Sequence, residues 1–276
     1  MEGLVFGPAG VPVSAKKHSS VGGNERVREL GLGAMELEFV QGVRMGEKEA
    51  GLVRQAAEAN GVRLTVHAPY YINLNSRDPE KLAASRERIC QSARIGAICG
   101  AESVTFHAAF YQGMDPKTVY STVLEQLREI RTILDMEDNH LWIRPELMGK
   151  ESQFGSLDEL LNLSTAVPGV MPCVDFAHYH ARTGKYNSYA EFAEILQRVE
   201  AKLGRRGLEN MHIHVSGIAY SPKGERNHLN LDEADLKYQE LMRALKDFQV
   251  GGFVICESPN LEDDALLLQE TYHRLS

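Results

Sequence analysis

The sequence has 276 residues, of which 43% are hydrophobic, and a formal net charge of −8 at pH 7. This composition suffices for a large core, and the acidic balance argues against a protein that coats nucleic acid indiscriminately, although it allows a local basic patch. No stretch reaches the roughly 20 apolar residues that span a membrane, and the N-terminus lacks a basic-then-apolar secretion signal, so we expect a cytoplasmic protein without membrane contact.

The predicted elements alternate between short apolar runs and longer amphipathic segments, which is the pattern of repeated βα units around a parallel sheet. The predicted strands are 4–9, 34–40, 63–70, 103–110, 141–148, 170–178, 210–217 and 251–259. The predicted helices are 24–31, 47–60, 78–98, 116–137, 156–164, 188–204, 232–248 and 261–275. Eight strands, each followed by a helix, predict one α/β domain over residues 1–276, a (β/α)₈ TIM barrel. A doubly wound parallel sheet is the alternative.

Several local signals support these boundaries. Ser156 begins a Ser-Leu-Asp-Glu capping box, and Asp232 and Glu233 place negative charge where a helix should begin. The segments 10–23 and 218–231 are the longest irregular pieces, and both follow predicted strands. In a TIM barrel they would therefore lie on the catalytic face.

Four cysteines lie far apart without a CxxC pair, at Cys90, Cys99, Cys173 and Cys256. This spacing indicates neither a disulfide framework nor a thiolate zinc site. We expect them to be buried and reduced.

Potential metal ligands recur at or near the C-terminal ends of six consecutive predicted strands, the third to the eighth. They are His67, His107, Glu146, Asp175, His178, His212, His214 and Glu257. A single His on a strand is more often a hydrogen-bonded core residue, but this repetition falls on the face that carries a barrel's active site. Burying so many ionisable groups is costly unless a cation compensates them. Imidazole and carboxylate ligands without thiolate suit Zn²⁺, Mn²⁺ or Fe²⁺; a hydrogen-bonded polar mouth without metal is the alternative.

The spacing within two segments refines this prediction. Asp175 and His178 can turn toward one cavity if their strand ends there. His212 and His214 are two residues apart, so strand alternation directs both to one face. One of them can bind metal while the other supports it or contacts substrate.

From His67 to Glu257 the motifs resemble those of the endonuclease IV family, the apurinic/apyrimidinic endonucleases of the xylose-isomerase-like TIM barrel superfamily. The matching segments are HAPYYINL with Tyr70 and Asn73, TFHAAF, PELMGKESQFGS with Gly149 and Gly155, CVDFAH, MHIHV and ICESP. The resemblance implies a DNA-repair hydrolase that cleaves damaged DNA at abasic sites. It points to His212 as the ligand in MHIHV and leaves His214 as a supporting or alternative ligand.

The sequence departs from the family pattern in two places. The family has Asp-x-His-His where this chain has Glu225, Arg226, Asn227 and His228, so the expected ligand His is Asn227. Either His228 substitutes after a one-residue shift, or the third metal is weakly held or absent. The family's N-terminal His-Val-Ser is also missing, and residues 6–10 read FGPAG. The departures suggest a divergent branch whose substrate can differ.

The resemblance also implies roles for the ligands around two or three Zn²⁺ ions. The first metal would be held by His67 and His107, Glu146 would bridge to the second, and the second would be completed by Asp175, His212 and Glu257. The third would be held by His178, Glu225 and, if the one-residue shift occurs, His228. Glu146 is the expected catalytic residue, which would orient the attacking water and is the candidate base. We expect the protein to be a monomer.

The prediction of substrate-binding residues rests on fewer sequence features. Phosphate contacts need cations in loops, and the candidates are Lys16, Lys17, Arg44, Lys223 and Arg226. Tyr70 could pack against a sugar or base, with Asn73 beside it. Solvated loop cations and a rim aromatic are the simpler interpretation of the same residues.

Two other classes of function are also compatible with the sequence. A metal-dependent sugar isomerase or epimerase of the same superfamily would need two catalytic carboxylates, and Glu36 and Glu38 keep that option available, although they can instead point into the barrel interior. A barrel that binds nucleic acid or a partner without catalysis is the third class.

Overall fold

The computed structural model describes residues 3–275. In chain order the strands are β1 (Leu4–Pro8), β2 (Ala34–Glu38), β3 (Arg63–His67), β4 (Ser103–Phe106), β5 (Ala109–Phe110), β6 (Trp142–Pro145), β7 (Gln153–Phe154), β8 (Cys173–Asp175), β9 (Met211–Val215), β10 (Gly217–Ser221), β11 (Gly224–Leu229) and β12 (Gly252–Cys256). The helices are α1 (Ser20–Glu29), α2 (Glu47–Asn60), α3 (Pro79–Cys99), α4 (Pro116–Met136), α5 (Leu157–Ala166), α6 (Phe176–Thr183), α7 (Tyr189–Leu203), α8 (Arg205–Glu209), α9 (Tyr238–Asp247) and α10 (Glu262–Arg274).

Eight of these strands form a closed parallel barrel. Two four-stranded arcs, β1-β12-β9-β8 and β2-β3-β4-β6, are joined edge to edge. A bridge between Ala9 and Glu36 connects β1 to β2, and bridges from Ile143 to Val170 and from Glu146 to Cys173 connect β6 to β8. Because the first and last strands pair along their full length, the predicted TIM barrel is confirmed and a doubly wound open sheet is excluded.

The barrel closes at a point where glycine is required. A Cβ on Gly7 of β1 would lie 1.8 Å from the carbonyl oxygen of Ala34 on β2. Only a residue without a side chain lets the two strands approach this closely. The FGPAG sequence, which departs from the family motif, therefore has a structural role in closing the barrel.

The strand positions agree with the sequence predictions, except that the predicted strand 103–110 ends at Phe106, and Ala109–Phe110 pairs antiparallel with β7 instead. Two connections also differ. The predicted sixth strand 170–178 is wrong beyond Asp175, because the Asp175 carboxylate accepts a hydrogen bond from the His178 backbone N–H (2.7 Å) and caps α6. The segment 218–231, predicted to be irregular, contains the antiparallel hairpin β10–β11. Asp232 and Glu233 lie in a 3₁₀ turn, Leu231–Glu233, and α9 begins at Tyr238.

The barrel interior is more polar than the layer outside the sheet, although a small apolar cluster of Ala34, Phe253 and Ile255 is also buried there. Helices pack their apolar faces against the outside of the sheet, whereas alternation along the strands points ionisable and hydroxyl side chains inward. Glu36, Thr65, Arg144 and His212 are all buried in this interior. Within residues 3–275 no helix is long and apolar enough to cross a membrane.

Candidate metal centre

The candidate centre lies at the C-terminal end of the barrel, where three groups of ligand atoms adjoin. The first group comprises His67, His107 and Glu146, the second comprises Glu146, Asp175, His214 and Glu257, and the third comprises Asp175, His178 and His228. Glu146 belongs to the first and second groups, and Asp175 belongs to the second and third. The groups therefore form one continuous cluster.

The first group converges on one oxygen of Glu146. His67 Nδ1 lies 2.8 Å from the carbonyl oxygen of Ala68, which can only accept, so Nδ1 carries the hydrogen and Nε2 faces the centre. Nε2 of His67 is 3.4 Å and Nε2 of His107 is 3.3 Å from Oε2 of Glu146. Two imidazole nitrogens and a carboxylate oxygen thus point at one position.

The second group brings together three carboxylates and one imidazole. Nδ1 of His214 lies 3.5 Å from Oε1 of Glu146 and 3.4 Å from Oε1 of Glu257. Asp175 contributes Oδ2, since its Oδ1 accepts the helix-capping hydrogen bond. Without a cation, like charges would repel in a site sheltered from water.

The third group depends on the hairpin β10–β11. His178 Nδ1 is 3.0 Å from the carbonyl oxygen of Leu147, and His228 Nδ1 is 3.2 Å from that of Glu257, so both Nδ1 atoms carry hydrogens. Their Nε2 atoms then face each other at 3.3 Å, and Oε2 of Glu225 is 3.6 Å from Nε2 of His178. Two lone pairs at this distance require a proton or a metal ion between them.

A β-bulge explains why Glu225 and His228 both reach this group. Residues three apart in a regular strand point to opposite faces. In the hairpin, Ala219 pairs with Asn227 and the next residue, Tyr220, pairs with Glu225, so Arg226 is extra in the ladder. The extra residue returns Glu225 and His228 to one face. Asn227 is exposed and directs its side-chain amide to the carbonyl oxygen of His228 instead.

The donor atoms fit a metal because several are buried without a hydrogen-bond partner. Both oxygens of Glu146, Oδ2 of Asp175, Oε2 of Glu257 and Nδ1 of His214 are such atoms. Buried polar atoms without partners are costly. Nitrogen and carboxylate oxygen donors without thiolate suit Zn²⁺, Mn²⁺ or Fe²⁺.

The pKa values show that the ionisable groups of the centre strongly affect one another's protonation. Burial opposes the charged form of His67, but the Glu146 oxygen and the Glu38 charge outweigh it and raise its pKa to about 10. Burial raises the pKa of Asp175 to about 7 and that of Glu38 to about 8. Burial opposes the charged form of Glu146, but the charge on His107 and the close imidazole nitrogens of His107, His178 and His214 hold its pKa well below the usual range. Protons thus occupy positions where metal ions would otherwise compensate charge.

The structure places His214, rather than His212, among the carboxylates of the second group. His212 lies two residues earlier on β9, so it is deeper in the barrel, and its ring centroid is 5.0 Å from that of His214. There its Nδ1 is 3.1 Å from Ser103 Oγ and its Nε2 is 3.0 Å from Glu36 Oε2. Burial lowers the pKa of His212 to about 4, so its ring is neutral. The sequence motif favoured His212, whereas the structure brings His214 within reach of Glu146, Asp175 and Glu257.

The four cysteines are buried and free, as expected. Cys173 Sγ lies near the rings of His212 and His214. These three residues are a fourth group of potential ligands. Burial raises the pKa of the Cys173 thiol to about 12, so without a metal ion the thiol stays protonated.

Residues predicted to contact substrate lie in two environments. Tyr70 is 55% exposed, and its ring lies 5.8 Å from those of His67 and His107. Asn73 instead stabilises the loop, because its side-chain oxygen accepts hydrogen bonds from the backbone of Asn75 and Phe110. The predicted cations are exposed, with Lys16, Lys17, Arg44 and Lys223 on loops or turns in segments that follow barrel strands and Arg226 on β11.

Other exposed apolar side chains on the loops that follow β1, β3 and β9 and on the short strand β5 were not predicted from the sequence. They are Val13, Tyr71, Phe110 and Tyr220. An aromatic residue directly after a predicted ligand strand, such as Tyr71 beside Tyr70, was the available signal. Tyr70, Tyr71 and Phe110, which follow the ligand strands β3 and β4, are here called the aromatic rim of the mouth.

Comparison with known proteins supports these observations. Residues 25–274 match the xylose isomerase-like TIM barrel family. An uncharacterized protein of Methanocaldococcus jannaschii is 41% identical over 273 residues, covering 99% of this chain and 98% of that protein. A probable endonuclease 4 of Mycoplasma pneumoniae is 26% identical over 203 residues, covering 71% of this chain and 68% of that protein.

Two solved structures with different activities share the fold. A D-tagatose 3-epimerase-like protein superposes with a TM-score of 0.74 at 19% identity, covering 97% of this chain and 95% of that one. Endonuclease IV from Thermus thermophilus superposes with a TM-score of 0.72 at 20% identity, covering 97% of each chain. At 19% and 20% identity, these two similarities show the shared fold alone. By its sequence match over residues 25–274, the chain belongs to the xylose isomerase-like TIM barrel family.

Proposed function

We propose that this protein is a metal-dependent phosphodiesterase that cleaves DNA at abasic sites. The observation that carries the proposal is the continuity of the three ligand groups, which share Glu146 and Asp175. Adjoining cations suit phosphodiester hydrolysis because they act on the attacking and leaving oxygens of one displacement. A proton transfer on a sugar would need only one of the groups.

The ligand residues divide the work in this proposal. His67, His107 and Glu146 would hold one ion, while Asp175, His214 and Glu257 would hold a second one with Glu146. The third would be held by His178, His228 and Glu225 near Asp175. Bound Zn²⁺, or Mn²⁺ or Fe²⁺ in its place, would supply an activated water and charge neutralisation.

Glu146 is the residue we propose as catalytic. Its carboxylate is fully buried between histidines of the first and second groups. A buried carboxylate with a depressed pKa stays ionised, so it can orient a water hydrogen toward Oε1 or Oε2. The surrounding walls exclude bulk water and strengthen this interaction.

The rim of the mouth supports nucleic acid as the substrate. The exposed rings of Tyr70, Tyr71 and Phe110 offer stacking surfaces for a base or sugar next to the ligands. Exposed cations can contact phosphates, and the candidates are Lys16, Lys17, Arg44, Lys223 and Arg226. A base-free nucleotide is also the one most easily extruded from a duplex into such a mouth.

One observation favours a second candidate, a sugar isomerase or epimerase. Glu146, Asp175, His214 and Glu257 alone form a four-ligand group that could hold a single metal ion. In that case the first and third groups would serve as polar walls around a small polyol. Glu36 does not support this candidate, because it is fully buried below the mouth.

A nicking assay separates the two candidates. Zinc-loaded protein is incubated with a duplex carrying one tetrahydrofuran abasic analogue and with the same duplex undamaged. We expect cleavage of the damaged strand only, and loss of cleavage in Glu146→Gln. An intact damaged strand together with turnover of a ketose or aldose would refute the hydrolase and favour the sugar enzyme.

A matched swap tests the third group. The variant Asn227→His/His228→Asn keeps the composition but moves the imidazole to the outward face of β11. We expect it to bind one zinc ion fewer or more weakly and to cleave more slowly, whereas Asn227→Ala should behave like the wild type. Equal zinc binding by the swap and the wild type would exclude His228 as a ligand.

A further inference from the structure

Glu36 joins two histidines at the centre of the barrel. It is fully buried on β2, and its Oε1 lies 3.0 Å from Nε2 of His214 while its Oε2 lies 3.0 Å from Nε2 of His212. Thr65 Oγ1 donates a hydrogen bond of 2.7 Å to Oε2. The carboxylate thus lies directly beneath the proposed metal ligands and contacts one of them.

With a metal ion bound, these contacts determine which nitrogen of His214 carries hydrogen. Because Nδ1 of His214 also faces carboxylates, the tautomer is fixed once a metal ion occupies the second group. The metal takes the lone pair of Nδ1, and the hydrogen stays on Nε2, 3.0 Å from Oε1 of Glu36, which can only accept. With hydrogen on Nε2, the neutral His214 ring has its lone pair on Nδ1. That atom lies 3.4 Å from Oε1 of Glu257 and 3.5 Å from Oε1 of Glu146.

The second histidine keeps Glu36 in place. His212 presents Nε2–H to Glu36 because the carboxylate can only accept, which leaves Nδ1 to accept from Ser103 Oγ at 3.1 Å. Together with Thr65, it anchors the Oε2 side of the carboxylate and leaves Oε1 for His214.

We propose that Glu36 is a positioning residue that holds His214 in the Nε2–H tautomer, with Nδ1 directed at the metal of the second ligand group. Such a carboxylate–histidine–metal arrangement fixes the orientation of the ring and raises its basicity. The inference rests on the metal centre of the proposed function but not on hydrolysis. It also assigns Glu36 a role other than direct contact with substrate.

The variant Glu36→Gln tests this role by zinc affinity. Glutamine has the same shape, but its amide presents an N–H₂ group to one histidine, which must then turn or change tautomer. We expect one zinc equivalent to bind about 10 to 100 times more weakly, measured by competition with a chromogenic chelator. Ser103→Ala is the matched control, because it removes a contact to His212 only, and we expect its zinc affinity to match the wild type.

A second measurement does not depend on the variant folding. Long-range ¹H–¹⁵N spectra of the ¹⁵N-histidine-labelled wild type with bound zinc should show His214 as the Nε2–H tautomer, its signal assigned by its loss in His214→Gln. An Nδ1–H tautomer, or unchanged zinc affinity in a folded Glu36→Gln protein, would overturn the inference. A wild type that binds no zinc would also overturn it.

These outcomes are distinguishable from failure of the proposed function. Zinc binding and the tautomer are measured without DNA. A protein that binds zinc as expected but leaves abasic DNA intact would support the role of Glu36 and refute the phosphodiesterase.

Discussion

Removal of the metal should destabilise the protein strongly. The ligand groups hold Glu146, Asp175 and Glu257 within one sheltered mouth, where several of their oxygens have no hydrogen-bond partner. Because the centre is assembled only in the folded chain, any metal that binds it stabilises the native state by mass action. Chelation with EDTA followed by zinc titration is the perturbation.

The size of the effect follows from the number of sites. A site filled at a thousand times its Kd adds about 4 kcal/mol. The groups share Glu146 and Asp175 and cannot act independently, so we expect a total of about 4 to 8 kcal/mol rather than three full contributions. For a chain of this size, about 2 °C in Tm accompanies each kcal/mol, which gives a rise of roughly 8 to 16 °C.

Differential scanning calorimetry of metal-free and zinc-loaded protein measures this rise. Glu146→Gln weakens two groups at once, so its zinc-induced rise should be less than half that of the wild type. A wild-type rise below about 2 °C would refute the argument, since it would correspond to only about 1 kcal/mol of linkage. An equal rise in both proteins would show that zinc binds elsewhere.

Three further predictions concern the centre. Glu146→Gln should lower the cleavage rate by roughly 10²- to 10³-fold, the cost of removing one electrostatic stabiliser, while its circular dichroism spectrum stays native. Gly149→Ala should weaken the third zinc site roughly tenfold in the chelator assay, because its Cβ would lie 2.7 Å from Oε2 of Glu225, whereas Gly51→Ala, in open space, should not. Zinc affinity measured calorimetrically should rise from about pH 6.5 to 8.5, because metal must displace the proton of His67, whose pKa is raised to about 10.

Each of these predictions has a contrary outcome. A Glu146→Gln protein with wild-type cleavage would exclude Glu146 from the mechanism. Equal zinc affinity in Gly149→Ala and the wild type would show that Glu225 is not a ligand. A zinc affinity independent of pH would mean that no proton leaves when the metal binds.

Strand number and ligand type were readable from the sequence because both are local. The spacing of hydrophobic residues and the local composition identify each strand, and the geometry of a barrel then brings the C-terminal ends of the strands together. His67, His107, Glu146 and Glu257 could therefore be placed at one mouth without knowing their distances. The end of β8 was harder to predict, because a ligand carboxylate, Asp175, is also the cap that starts the next helix.

Only the tertiary structure decided which residues share a position. The choice between His212 and His214 depends on depth in the barrel relative to Glu146 and Glu257, which is set by the stagger between β9 and the neighbouring strands β8 and β12. The place of His228 depends on one extra residue, Arg226, in a hairpin ladder. The partnership of Glu36 with both histidines crosses the interior. These are relations between distant segments, whereas a sequence pattern reports only neighbours along the chain.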